Sequence, residues 1–170
     1  MNHHDMNHHV EPLEKPIEYV KFTGVILGIV LLAALLTEVQ GWSMATAMAN
    51  FMGVFFVVFG LFKLVQLEMF VLAFRGYDIV AKRFKLWGYV FPFVELALGA
   101  GYLLIGNNLW LNITTMIITG VASIGVVREL RRKTIMKCAC LGTVIRLPLS
   151  KVSFVEDFAM FAMAGLMLFL

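Results

Sequence analysis

The sequence predicts an all-α integral membrane protein of five transmembrane segments. Three observations predict it. Of the 170 residues, 61% are hydrophobic and 15% charged, where a soluble domain carries about 45–50% and about 25%. The apolar residues gather in runs of about 20, the length that crosses a hydrocarbon core as a helix. The basic residues gather in alternate connections, as the positive-inside rule requires. A soluble domain of this size cannot hide so much apolar surface from water. These observations exclude a soluble enzyme, a disordered tail and a disulfide-stapled secreted domain. The net charge of +3 then reports topology and gives no case for nucleic-acid binding.

Five apolar segments follow one another. The first runs from Tyr19 to Val39, with an uninterrupted apolar heart between Val25 and Leu36. Ala45-Thr46-Ala47 offers a small-x-small cleavage pattern after it. The polar stretch ahead of the segment and its full spanning length favour a retained anchor over a signal peptide. The second segment begins at Met44 and stays helix-compatible to Phe74, which is longer than a bilayer is thick. It is expected to leave the membrane near Lys63 and continue as interfacial turns through Gln66 and Glu68. The third spans Leu86 to Ile105, the fourth Leu109 to Val127, and the fifth Val152 to Leu170. The sequon Asn112-Ile113-Thr114 falls inside the fourth and is discounted.

Apart from Lys63, the Lys and Arg residues lie in the N-terminal arm (Lys15, Lys21) and the connections Arg75–Lys85 and Arg128–Lys151. The short connections Thr37–Ser43 and Gly106–Asn108 and the C-terminus have none. Five spans bring the three basic regions to one side, which the charge rule makes cytoplasmic, with the C-terminus outside. The expected location is a bacterial inner membrane.

Soft-ligand chemistry is concentrated in two places. Cys138 and Cys140, within KCACLG, form a C-x-C pair followed by Gly142. Two close thiols can exchange electrons with a partner disulfide or chelate Cu(I). Arg131, Arg132, Lys133 and Lys137 favour the thiolate that both chemistries need. The N-terminus reads MNHHDMNHH, so His3, His4, His8 and His9 with two methionines offer ligands for copper, nickel or zinc. The plainer reading is a solubilising arm. Met44, Met48 and Met52 share one helix face, as do Glu156, Met160, Met163 and Met167. Such stripes read first as packing surface.

Ionisable residues within a span are costly and are candidates for function. Glu95 lies near mid-membrane in the third segment, and Lys63 in the second is its one basic partner inside a span. An ion pair between them would neutralise both. Ser153-x-x-Glu156 reads as a capping box opening the fifth helix, which puts Glu156 and Asp157 in its first turn as structural acids.

FMGVFFVVFGLFKL (Phe51–Leu64), YDIVAKRF (Tyr77–Phe84), YVFPFVELALGAGYLL (Tyr89–Leu104), KCACLG and VEDFAMFAMAGLML (Val155–Leu168) together resemble the MauE/DoxX family of redox-associated membrane proteins. The resemblance covers Met44 to the C-terminus and implies a four-helix core. For MauE-like members it implies a link to methylamine utilisation, in support of disulfide formation in methylamine dehydrogenase. For DoxX-like members it implies quinone-coupled sulfur oxidation. Lys63, Glu95, Cys138 and Cys140 are the positions carried over. One feature departs from that picture: the charge bias puts both cysteines in the reducing cytoplasm.

Three parts are therefore expected: a His/Met-rich cytoplasmic arm (1–18), an extra transmembrane helix with a short outer loop (19–43), and a four-helix membrane domain (44–170). The expected function is thiol–disulfide exchange through Cys138 and Cys140 in support of a partner redox protein. Copper or other soft-metal handling, through the same cysteines and the four histidines, is the first alternative. A non-catalytic anchor for a quinone-linked oxidoreductase is the second. Besides the lipid bilayer, the partner is a redox or metal-handling protein, and quinone or a soft metal is the candidate cofactor.

Overall fold

The computed structural model describes residues 16–131 and 149–170. The histidine arm and the cysteine-bearing stretch lie outside the described residues. Seven helices and no strand occur among those described: α1 (Pro16–Gln40), α2 (Met44–Val65), α3 (Leu67–Tyr77), α4 (Ile79–Arg83), α5 (Lys85–Ile105), α6 (Leu109–Arg131) and α7 (Leu149–Met167). Among them α1, α2, α5 and α6 are long and apolar enough to cross a membrane. The 19 residues of α7 extend about 28 Å at 1.5 Å each.

The helices end where sequence chemistry stops them. Gly41 (φ 99°) and Gly106 (φ 76°) take left-handed backbone that other residues resist. Their N–H groups donate to Thr37 O and Tyr102 O, closing α1 and α5. Ser43 Oγ accepts from Thr46 N at 3.0 Å to open α2, and Asn108 Oδ1 accepts from Trp110 N at 3.0 Å to open α6.

The bundle is built on two antiparallel pairs, α2 with α5 and α6 with α7, and α1 lies along α2. Close approach of α2 and α5 depends on missing side chains. A Cβ on Gly99 would meet Gly53 O at 2.9 Å and Val57 N at 3.0 Å. Such small-residue contacts let membrane helices approach closely. Asn50 Nδ2 ties α2 to α1, donating to Thr37 Oγ1 at 3.1 Å and Gln40 Oε1 at 3.2 Å. Between α5 and α6, the Tyr102 hydroxyl donates to Asn112 Oδ1 at 2.9 Å and meets the Thr115 hydroxyl at 3.1 Å. Asn112 is therefore a buried network residue.

Outward-facing leucines and isoleucines, among them Leu31, Leu35, Leu104 and Ile117, make the bundle's lipid-contacting surface. Exposed Trp42 and Trp110 mark one end of it, where indole rings suit the membrane–water interface.

The second span ends near Lys63, as expected: α2 stops at Val65, Gln66 (φ −129°, ψ 50°) breaks the helix, and α3 follows as a separate amphipathic helix. The break lets α3 lay Phe70, Val71 and Phe74 across α5, where all three are buried. Two expectations need correction. The basic connection after it is not a plain loop, because Asp78 starts α4 within it. The capping box at Ser153 is absent as such: α7 is already helical from Leu149, so Ser153 lies inside the helix. The stretch after Pro148 carries no helix breaker, and the helix takes it in.

Two outcomes are expected from thermal unfolding in detergent. Gly99→Ala should destabilise by about 1–3 kcal/mol because its new methyl meets backbone. Gly24→Ala on α1, with nothing within 4 Å, should be neutral or gain up to about 1 kcal/mol. Similar losses at both sites would remove the close-packing account.

Asp78 supplies a test in pH. Its side chain accepts from Ala81 N at 2.7 Å, while burial pushes its carboxyl above the ordinary value of 3.8, opposed by backbone N–H groups and Lys82. A raised folded value means that this group's stabilising contribution is present below 3.8 and is lost as pH rises through the folded value. Asp78→Asn keeps the cap without the charge, so its stability relative to wild type should climb between pH 4 and 7. Asp78→Ala should lose about 0.5–2 kcal/mol by losing the cap. A flat difference between the Asn variant and wild type across that range would show that the buried charge costs nothing.

Candidate functional site

Lys63 occupies the last turn of α2 and is buried. Side chains on a helix lean towards its N-terminus. Because α2 and α5 are antiparallel, Lys63 and Glu95 lean towards each other from neighbouring levels. They meet as an ion pair and hydrogen bond through Glu95 Oε1. Glu95 lies ten residues into α5, about 15 Å by helical rise. Its second oxygen, Oε2, is buried with no hydrogen-bond partner among the described residues.

A second carboxylate shares the lysine. Glu156 Oε1 of α7 stands 3.8 Å from Lys63 Nζ, with its side chain 7% exposed. Asp157 lies within electrostatic range of Lys63, Glu95 and Asp78. Asp78, at the α3–α4 junction, is 1% exposed. One cation thus gathers acids from α5 and α7. The Phe70 and Phe91 rings flank the ammonium, with centroids 5.6 and 5.3 Å from Nζ, within cation–π range. Phe74 completes the wall, 4.9 Å from Phe70 and 4.7 Å from Phe91 between centroids.

Chemically, an ammonium shared by carboxylates in an apolar bundle can lock helix register and can hold or pass a proton. Metal binding is a poorer fit there. Among the described residues no three His, Cys, Asp or Glu side chains form a set able to hold a metal ion.

The structure thus brings together Lys63 and Glu95, and adds Glu156 and Asp157, which the sequence suggested were first-turn acids. The difference arises because α7 starts at Leu149, which moves both acids inward by about two turns. Asp78 was hidden among basic neighbours; its cue was an acid directly before an Ile-Val-Ala run, the pattern of a helix cap. Of the methionines, Met52, Met160 and Met167 are packed in the core, whereas Met44 is 69% exposed. The first stripe is therefore no continuous buried thioether ladder. His3, His4, His8, His9, Cys138 and Cys140 lie outside the described residues.

The shared lysine predicts an order of damage on thermal unfolding in detergent. Lys63→Met leaves Glu95 and Glu156 facing each other and should cost about 3–5 kcal/mol. Glu95→Gln should cost less, because Glu156 still faces the ammonium. The double variant Lys63→Met/Glu95→Gln should recover part of the loss. Losses that simply add in the double variant would mean that the two residues are not coupled.

Residues 40–170 match the model of a family described as Methylamine utilisation protein MauE. No curated protein and no solved structure matches the chain. The matched stretch is well over half of the sequence. It takes in α2 to α7, the whole charge cluster and the C-x-C pair, and leaves nearly all of α1 outside. This chain of apolar helices closed around a shared lysine is a multi-pass membrane protein that belongs to the MauE family.

Proposed function

We propose that the protein is an inner-membrane redox component that supports a partner enzyme of methylamine utilisation by dithiol–disulfide exchange at Cys138 and Cys140. The observation that carries this reading is the C-x-C pair itself, set among Arg131, Arg132, Lys133 and Lys137 and within the stretch matching the MauE family. A cationic flank favours the thiolate, the form in which each cysteine leaves during exchange. In the exchange, a partner thiolate attacks the disulfide of Cys138 and Cys140 and forms a mixed disulfide, releasing one cysteine as a thiolate. The partner's second thiolate then closes the partner's own disulfide and releases the other cysteine, leaving Cys138 and Cys140 as a dithiol. Two electrons and two protons pass from one cysteine pair to the other, and no cofactor is needed for that step. A membrane quinone is the acceptor class for resetting the pair: it takes two electrons and two protons from the dithiol, which returns to the disulfide as the quinone becomes quinol.

The charge cluster contributes positioning. The cysteine stretch joins α6 to α7, and Lys63 holds α7 through Glu156. The anchor of that connection is thereby tied to α2 and α5. Charge distribution favours a cytoplasmic side for the cysteines, the histidine arm and the α3–α4 end, with the C-terminus outside.

Soft-metal handling is the second reading, favoured by two soft-ligand clusters on the same expected side: His3, His4, His8 and His9, and Cys138 with Cys140. Copper is the metal to test. A membrane anchor without chemistry of its own is the third.

An impermeant thiol reagent should label Cys138 and Cys140 only after the cells are opened. Full labelling from outside would reverse the orientation. In cells, Cys138→Ser/Cys140→Ser should shift the partner's cysteines in redox state, while deletion of Met1–His9 should not. Equal copper sensitivity in both variants, with the partner's redox state unchanged, would favour metal handling instead. A partner that is lost from the membrane only when the whole chain is deleted, with both variants otherwise silent, would leave the anchor reading.

A further inference from the structure

Away from the buried cluster, α4 and α6 border an open pocket of about 260 Å³ lined by Ile79, Lys82, Arg83 and Arg128. Three of its four lining residues are cationic, and they come from two elements. A pocket with that lining repels cations and calls for a ligand with several anionic oxygens. Its volume far exceeds the ~30 Å³ share of one water.

The position narrows the ligand. Arg128 closes the apolar span of α6, and Lys82 and Arg83 immediately precede the apolar span of α5. All three cations therefore stand at one boundary of the membrane-crossing layer, the level of lipid phosphates. Below Arg128, the residues Ile117, Val121 and Ile124 continue the same face of α6 at spacings of four, three and four. Ile117 and Ile124 are 62% and 59% exposed. Beside Arg83, exposed Phe84 and Leu86 extend the apolar surround at the head of α5. A charged seat above an apolar track suits an amphiphile better than a free anion. We propose that this pocket binds the phosphate-bearing headgroup of an anionic phospholipid, with its acyl chains along the exposed face of α6.

The inference rests on the membrane fold and is independent of any chemistry at the cysteines. The full-length chain, purified in neutral detergent, is titrated with phosphatidylglycerol and with phosphatidylcholine, and bound lipid is counted by native mass spectrometry. Phosphatidylglycerol should bind more tightly. Arg83→Gln/Arg128→Gln should weaken it roughly 25-fold, about fivefold for each basic side chain near the surface. Arg75→Gln, exposed on α3 and outside the pocket, should bind as wild type. If the double variant does not fold, Arg128→Gln alone decides the matter with its fivefold loss. Equal affinity for the two lipids, or no loss on removing the arginines, overturns the proposal. Complete displacement of phosphatidylglycerol by millimolar inorganic phosphate also overturns it, because the site would then serve a free anion.

Discussion

Burying the ammonium of Lys63 in an apolar bundle is the constraint on which the arrangement depends. An isolated charge there would cost several kcal/mol, so other helices must bring acids to it. Glu95 fixes α5 against α2 at one level only, and Glu156 brings α7 to the same place. The close approach at Gly53 and Gly99 makes that geometry reachable, because the two backbones must nearly touch higher up. Packing between apolar helices in lipid has little directional preference. The shared lysine supplies direction, and the glycines supply distance.

The helices themselves were legible because spanning length and hydropathy are properties of whole segments. The third segment was expected from Leu86 to Ile105, and α5 starts one residue earlier and ends at the same one. Tertiary burial was less legible. The exit near Lys63 could be read from length and polarity, but not the burial of Phe70, Val71 and Phe74 that α3 gains on α5. The opposite charges of Lys63 and Glu95 could be paired on paper as the two within spans. Glu156 could not be added, because the Ser153-x-x-Glu156 pattern offered a sufficient local explanation that the longer helix removes. Local signals mislead where two explanations fit one residue and only the tertiary neighbour distinguishes them.

The family match and the packing divide the chain in the same place. The match begins at residue 40, and α1 before it keeps most of its surface outward. The buried amide of Asn50 ties it to α2, bonded to Thr37 and Gln40 near the end of α1. The remainder of α1 rests on α2 through apolar contact such as Ile29 and Ala33, both buried. The charge cluster lies wholly within α2 to α7. The buried ion pairs of Lys63 with Glu95 and Glu156 therefore belong to the shared family region.

The ion pair also has a history within each molecule's synthesis. Lys63 and Glu95 are 32 residues apart, and at about 5–20 residues per second a growing chain presents the lysine seconds before its acid exists. During that interval α2 must tolerate a lone ammonium. Its place in the last turn of the helix makes this feasible, since a long flexible side chain so near the boundary can keep its head in the interfacial water. Insertion of α5 then draws the ammonium inward, and α7 follows later as the second clasp. A lysine at the middle of α2 would have had no such waiting position. The terminal placement of this residue thus suits the order in which the chain emerges, α1 and α2 first, then α5, then α6 and α7.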